Sequence, residues 1–200
     1  TPVVITSAET NPAGTIFQLE KYEGMRVKVN SLTAVSPTGG SVNETVITPS
    51  TSNGYFYGVL TGTNRPFREP GIQTPDPFPS GAPMSIPVFD ANPELIGIAS
   101  RGLFGSTAIN VVTGAVLTDI LGPLDYSNRT YTINIDLPSV SPLPSISNNT
   151  TTYTAVPIQT NVELTVASFN MERFFDNIND PGIGEPVLSA TAYTNRLNKV

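Results

Sequence analysis

The chain has 200 residues, a formal charge of −6, and neither cysteine nor histidine. This excludes a disulfide framework, a thiolate metal site and any step that needs an imidazole. It also argues against a protein that holds nucleic acid mainly through a bulk positive field, and no run is long and apolar enough for a membrane-spanning helix.

Threonine, valine, proline, glycine and asparagine are prominent, and only 13% of residues are charged. That mix favours strands and turns over long helices. The length suits one domain, or a small domain with an extension. The chain opens at Thr1 without methionine, a charged leader or an apolar h-region, so we expect an internal segment of a longer protein.

Residues 3–6, Val-Val-Ile-Thr, form a short β-prone piece, and residues 10–14 carry a turn cluster. Residues 17–24, Phe-Gln-Leu-Glu-Lys-Tyr-Glu-Gly, predict one or two helical turns with Gly24 just past the end. Apolar residues then alternate at Met25, Val27 and Val29, and the phase shifts to Leu32 and Ala34. A shift inside one strand predicts a β-bulge near Asn30 and Ser31, because one extra residue exchanges the two faces. A long bent first strand of this kind suits a small closed barrel.

Residues 42–48 predict a strand, and Asn53-Gly54 gives the strongest local turn signal before the strand at 55–60. Residues 62–93 contain eight prolines, which are excluded from central strands and helix interiors. Phe67, Phe78 and Phe89 in this stretch argue for packing of a long loop. Residues 95–98 predict a strand. Residues 108–112 lead through Thr113-Gly114 into 115–121, residues 122–129 read as a connection, and 131–137 alternate as a half-buried strand.

Residues 138–160 are rich in proline, serine, threonine and asparagine, the composition of an extended linker. Asn43, Asn128 and Asn149 stand in glycosylation-type triplets, which we expect to be chance matches.

Residues 164–176, Leu-Thr-Val-Ala-Ser-Phe-Asn-Met-Glu-Arg-Phe-Phe-Asp, form a short apolar run that stops at Asn170. A buried parallel strand reads this way when it delivers one polar group at its C-terminal end. Residues 189–200 then have helical spacing at Tyr193, Leu197 and Val200.

The 164–176 stretch resembles the opening strand of the endonuclease/exonuclease/phosphatase superfamily, the metal-dependent nucleases and phosphoesterases related to DNase I. The Leu-Glu-Lys-Tyr-Glu-Gly-Met piece at 19–25 and the Gly-Pro-Leu-Asp-Tyr piece at 122–126 are similar to the β-rich domain that precedes the catalytic domain in secreted bacterial nucleases of this type. The closing region from 111 to 133 looks like that of an oligonucleotide/oligosaccharide-binding (OB) barrel. The resemblance implies a mainly β chain: an OB-like accessory barrel with a long proline-rich loop at 1–137, a linker at 138–162, and a truncated start of an α/β nuclease domain at 163–200.

It also implies a function for the parent protein, divalent-metal phosphodiester hydrolysis with Mg²⁺ or Ca²⁺, outside the cell or in a bacterial cell envelope. Its partners would be DNA or RNA and the remainder of the catalytic domain in the same chain. The superfamily uses a late histidine paired with an aspartate. With no histidine present, the site in this segment would be incomplete, the segment inactive alone, and no metal is expected on it.

Asn170 is the candidate catalytic and metal-binding residue. An amide oxygen is a hard neutral ligand, and the amide nitrogen can donate to a phosphate oxygen. Asparagine is equally suited to a helix cap or a turn. Tyr22, Arg26, Lys28, Tyr55, Tyr57, Arg65, Phe67 and Arg68 combine cations with aromatic rings, as OB barrels do when they stack bases and follow a phosphate backbone. Alternating surface and core residues of any barrel give the same composition. The rival readings are a non-enzymatic binding module for nucleic acid or polysaccharide, and a structural spacer in an exported protein.

Overall fold

The computed structural model describes residues 1–41, 51–64, 80–81, 91–127, 129–150, 160, 162 and 176–198. The chain divides into two compact units, residues 1–39 with 52–151, and residues 40–51 with 152–200.

The first unit is a closed barrel of five strands. Its strands are β2 (Arg26–Ala34), β5 (Tyr55–Leu60), β6 (Ile96–Ala99), β7 (Val116–Ser127) and β8 (Thr130–Asn134). Around the barrel the order is β2-β5-β6-β8-β7 and back to β2. All neighbours are antiparallel except β6 and β8, which run parallel. Numbered by barrel position the order is one-two-three-five-four, the arrangement of a five-stranded OB-like barrel. Strand β1 (Val3–Val4) adds to β2 in parallel, and β9 (Ser145–Ser147) adds to β7. The remaining strands, β3 (Gly40–Ser41) and β4 (Thr51–Ser52), are two residues each.

The core follows the inward positions of the strands: Val27, Val29, Leu32 and Ala34 from β2, Phe56 from β5, Ile96 and Ile98 from β6, Leu117, Ile120 and Leu124 from β7, and Ile133 from β8. Each of the larger side chains contributes roughly 1.5–3 kcal/mol by leaving water. A 3₁₀ helix, Ile16–Tyr22, buries Leu19 in the same core. It ends at Glu23, and Gly24 follows with φ +75°, so the helical turns expected at 17–24 are present in the tighter form.

The phase shift expected in β2 is present, with Val27 and Val29 inward, then Leu32 and Ala34. Its partner shifts as well: Leu117 is inward, then Ile120 and Leu124. The register between the two strands is the same on both sides, Val29 opposite Ile120 and Ser31 opposite Thr118. Each strand therefore carries one extra residue at the same level, Asn30 in β2 and Asp119 in β7. Asp119 absorbs its half with φ +59°, a conformation that Asp tolerates better than most residues. Paired insertions bend both strands without slipping the ladder.

One sequence expectation is corrected. Residues 122–127 are the second half of β7, with Pro123 opposite Arg26, where a connection was expected. Proline fits because the Leu124 N–H donates to Met25 O. The nitrogen of Pro123 thus faces the opposite edge, on which the β9 ladder ends at Thr118 and the β8 ladder starts at Leu124. Residues 108–112 lie outside any strand, yet they are fixed: Thr38 Oγ1 donates to Ile109 O at 3.1 Å and accepts from Val111 N at 2.9 Å.

The stretch read as a linker starts on the barrel. Residues 145–147 pair with β7, and the Asn149 side chain accepts from Val112 N and donates to Asn110 O, both at 2.9 Å. That amide is occupied, which makes Asn149 a poor glycosylation acceptor.

In the second unit, α1 (Ala190–Leu197) forms the helix expected after residue 189. Ser189 Oγ caps it by accepting from Ala192 N at 3.2 Å. The strand expected at 42–48, most of the 62–93 loop and the 163–175 stretch with Asn170 lie outside the described residues.

Candidate functional site: the outer face of the barrel

Strands β5, β6 and β8 form a continuous three-stranded face. Tyr57, Gly97 and Thr132 stand in one row across it, and Tyr55, Ala99 and Asn134 in the next. Phe56, Ile98 and Ile133 alternate with them and point inward.

Tyr55 and Tyr57 lie on the outer side with ring centroids 5.1 Å apart and planes at 83°, an edge-to-face pair. Tyr55 leans diagonally, and its hydroxyl lies 3.0 Å from Thr132 Oγ1. The bare backbone of Gly97 makes this possible, since a Cβ there would stand 2.3 Å from the Tyr55 hydroxyl. Thr132 is an outward residue of β8, yet it is only 1% exposed. The tyrosine covers it, and this breaks the alternation expected for the strand. Burial raises the Tyr55 pKa above its ordinary value, and the Thr132 hydrogen bond partly offsets this.

The turn that starts β5 holds the pair in place. Asn53 Oδ1 accepts from Tyr55 N at 2.9 Å, and Gly54 takes φ +69°. Ser100 Oγ, itself buried, donates to Gly54 O and accepts from Ile109 N.

The candidate cations are placed otherwise. Arg26 donates from Nε to Asp136 Oδ2 at 2.9 Å and also pairs through Nη2, while Ser141 Oγ donates to the same oxygen. Lys28 Nζ lies 2.7 Å from Asp119 Oδ1. Both cations are thus matched by carboxylates of the barrel itself. Tyr22 is partly buried against the core, with the Lys21 ammonium 4.8 Å from its ring centre. Of the eight residues proposed to contact nucleic acid, the structure brings Tyr55 and Tyr57 together. It engages Arg26, Lys28 and Tyr22 elsewhere, and Arg65, Phe67 and Arg68 lie outside the described residues.

Sequence reading missed the cluster around Tyr131. Its hydroxyl donates to Glu20 Oε2 at 2.6 Å, and its ring packs at 4.8 Å from that of Tyr126. Burial, and after it the Glu20 carboxylate, push the Tyr131 pKa well up. The two residues are 111 positions apart, and no local pattern announces such a pair. Among the described residues, no three acidic side chains are grouped in a way that would hold a metal ion.

A family model described as a domain of unknown function, DUF8508, matches residues 15–144. The chain belongs to the DUF8508 family. The DUF8508 region begins one residue before the 3₁₀ helix, includes all five barrel strands and stops just before β9. It coincides with the barrel, and leaves out both β1 and everything from β9 onward. No curated protein and no solved structure matches the chain.

Proposed function

We propose that the DUF8508 barrel is a non-catalytic module that positions substrate for, or braces, a metal-dependent nuclease or phosphodiesterase domain that begins near residue 163. One observation carries this reading: the DUF8508 region coincides with a closed barrel, and the Phe169-Asn170 step follows in sequence, beyond the matched residues 15–144. In such an enzyme the divalent metal polarises the phosphate for attack by water. Asn170 would contribute an amide oxygen beside the metal and an amide N–H toward a phosphate oxygen. The parent would act outside the cell or in the cell envelope.

The test is hydrolysis of DNA, RNA and a simple phosphodiester by the full-length gene product, with Mg²⁺ and with chelator. Metal-dependent turnover that Asn170→Ala lowers by about a hundredfold or more supports the reading. Turnover unaffected by chelator, or none on any of the three substrates, overturns it.

A second reading is favoured by the tyrosine pair: the β5-β6-β8 face stacks a planar or ring-shaped ligand, such as a base or a sugar. Rings on a strand face are worth about 1–3 kcal/mol per stacked base. The carboxylate-matched Arg26 and Lys28 argue for a ligand held by stacking rather than by its phosphates.

A further inference from the structure

Strand β2 is paired on one edge along its whole length, by β7, but on its other edge in two separate pieces. The β1 ladder ends at Lys28 and the β5 ladder starts at Leu32. The interval falls at the paired bulge, where β1 and β5 splay apart. A cleft of about 650 Å³ opens there, between the segment after β1, the bulge of β2 and the end of β5. This volume lies within the range of small-molecule sites. The cleft is at the opposite end of β5 from Tyr55.

Its lining has a consistent chemistry. Among the described residues that line it, Ile5, Pro12 and Leu60 supply the apolar part, and the rest consists of hydroxyls, amides and one glycine, without a charged side chain. Some of the hydroxyls are already ordered: Ser31 Oγ donates to Thr61 Oγ1 at 2.7 Å, and Thr33 Oγ1 lies 3.1 Å from the same atom. Behind that lining, and not part of it, Glu9 Oε2 accepts from the Thr6 hydroxyl at 2.6 Å and from its N–H at 3.0 Å, which fixes the turn after β1. The amides of Asn30 and Asn64 border the same space and make no side-chain hydrogen bond within the described chain.

We propose that this cleft binds a neutral carbohydrate of one or two rings. Amides and hydroxyls present donors and acceptors side by side, as a ring of vicinal hydroxyls requires. The apolar part suits the C–H face of a pyranose. A phosphate or a carboxylate would find no cation among the described lining residues, at the cost of an unpaired charge. The site is separate from the tyrosine face and does not depend on any catalytic activity of the parent.

The test uses the ¹⁵N-labelled 200-residue chain and two-dimensional ¹H–¹⁵N spectra. The probes are glucose, N-acetylglucosamine, cellobiose and chitobiose at millimolar concentration, with a thymidine oligonucleotide and an unlabelled extended peptide as contrasts. We expect saturable shifts of the Asn30 and Asn64 side-chain amides and of the Thr61 to Asn64 backbone with at least one sugar. Asn30→Ala and Asn64→Ala should each weaken that binding by about fivefold, the effect of one lost hydrogen bond. Asn64 is exposed and beyond the end of β5, so its variant keeps the test valid if Asn30→Ala disturbs the bulge. The proposal is overturned if none of the four sugars moves these resonances, if only the oligonucleotide or the peptide does, or if Asn64→Ala binds sugar as well as the parent chain does. Because the readout is binding, failure here leaves the phosphodiesterase reading standing, and failure of that reading leaves this one standing.

Discussion

The hydroxyl of Tyr55 reaches diagonally across the backbone of Gly97 and meets Thr132 Oγ1 at 3.0 Å. One aromatic side chain thus links two strands that are separated by a third. The contact turns a solvent-facing threonine into a buried one and fixes the ring that forms the edge-to-face pair with Tyr57.

A Cβ at position 97 would stand 2.3 Å from the Tyr55 hydroxyl and 2.6 Å from Thr132 Oγ1. Gly97→Ala therefore displaces the tyrosine, and should cost about 1–3 kcal/mol, as overpacking does. Tyr55→Phe, which removes only the hydrogen bond, should cost about 1 kcal/mol. Urea titration checks both: the midpoint falls, more for Gly97→Ala, and the slope is unchanged. Equal midpoints for Gly97→Ala and the parent would show that the tyrosine does not occupy this position.

The two ion pairs of β2 should respond differently. The Asp136 side chain is 7% exposed and that of Arg26 42%, so loss of the arginine strands a buried charge, whereas loss of the aspartate leaves a cation able to reach water. Arg26→Ala should cost about 3 kcal/mol, and Asp136→Asn visibly less. The Asp119 side chain is 66% exposed, and its bridge to Lys28 contributes about 0–1 kcal/mol. What matters at Asp119 is the backbone, with φ +59°. Asp119→Gly should be close to neutral, and Asp119→Val should cost about 1–2 kcal/mol through its β-branch in the left-handed region. Chemical denaturation of the four variants gives the order directly. An equal loss for glycine and valine would remove the backbone argument.

Alkaline pH should unfold the chain through its buried tyrosines. The Tyr131 and Tyr55 pKa values are raised in the folded state, in each case mainly by burial. Above about pH 10 the unfolded chain has released these protons, while the native state still holds them. Stability is therefore complete below that pH and declines as pH rises toward the folded-state values. Tyr131→Phe removes the larger contribution, so its stability should fall less steeply across the alkaline range than that of the parent. The comparison cancels the lysines common to both chains. Parallel curves would mean that Tyr131 ionises as freely in the fold as outside it.

The local elements could be read in the residues because each rests on short-range chemistry. Alternation marks β2 and β8, Asn53-Gly54 marks the turn before β5, and the spacing of Tyr193 and Leu197 marks α1. The phase shift at Asn30 was visible because it exchanges the faces of one strand. Its counterpart at Asp119 was not, since 115–121 followed by Gly122-Pro123 looks like a strand that stops at a proline. Only the pairing with β2 shows which edge the proline nitrogen faces.

Of the candidate site residues, the aromatic ones at 55 and 57 could be placed on one face from strand period alone. The fate of the cations could not. Arg26 is 110 positions from Asp136 and Lys28 is 91 from Asp119, and composition counts a matched arginine and an available one alike.

The order of the residues by itself determined that this is a mainly β chain with a bent first strand, and where its turns fall, because strand period and turn chemistry act over a few residues. The tertiary structure alone decided how the strands close into a barrel, which charges cancel, and where β1 and β5 part to leave a cleft. Those outcomes depend on groups brought together across a hundred residues of chain, and their energies exist only once the ring of strands is complete.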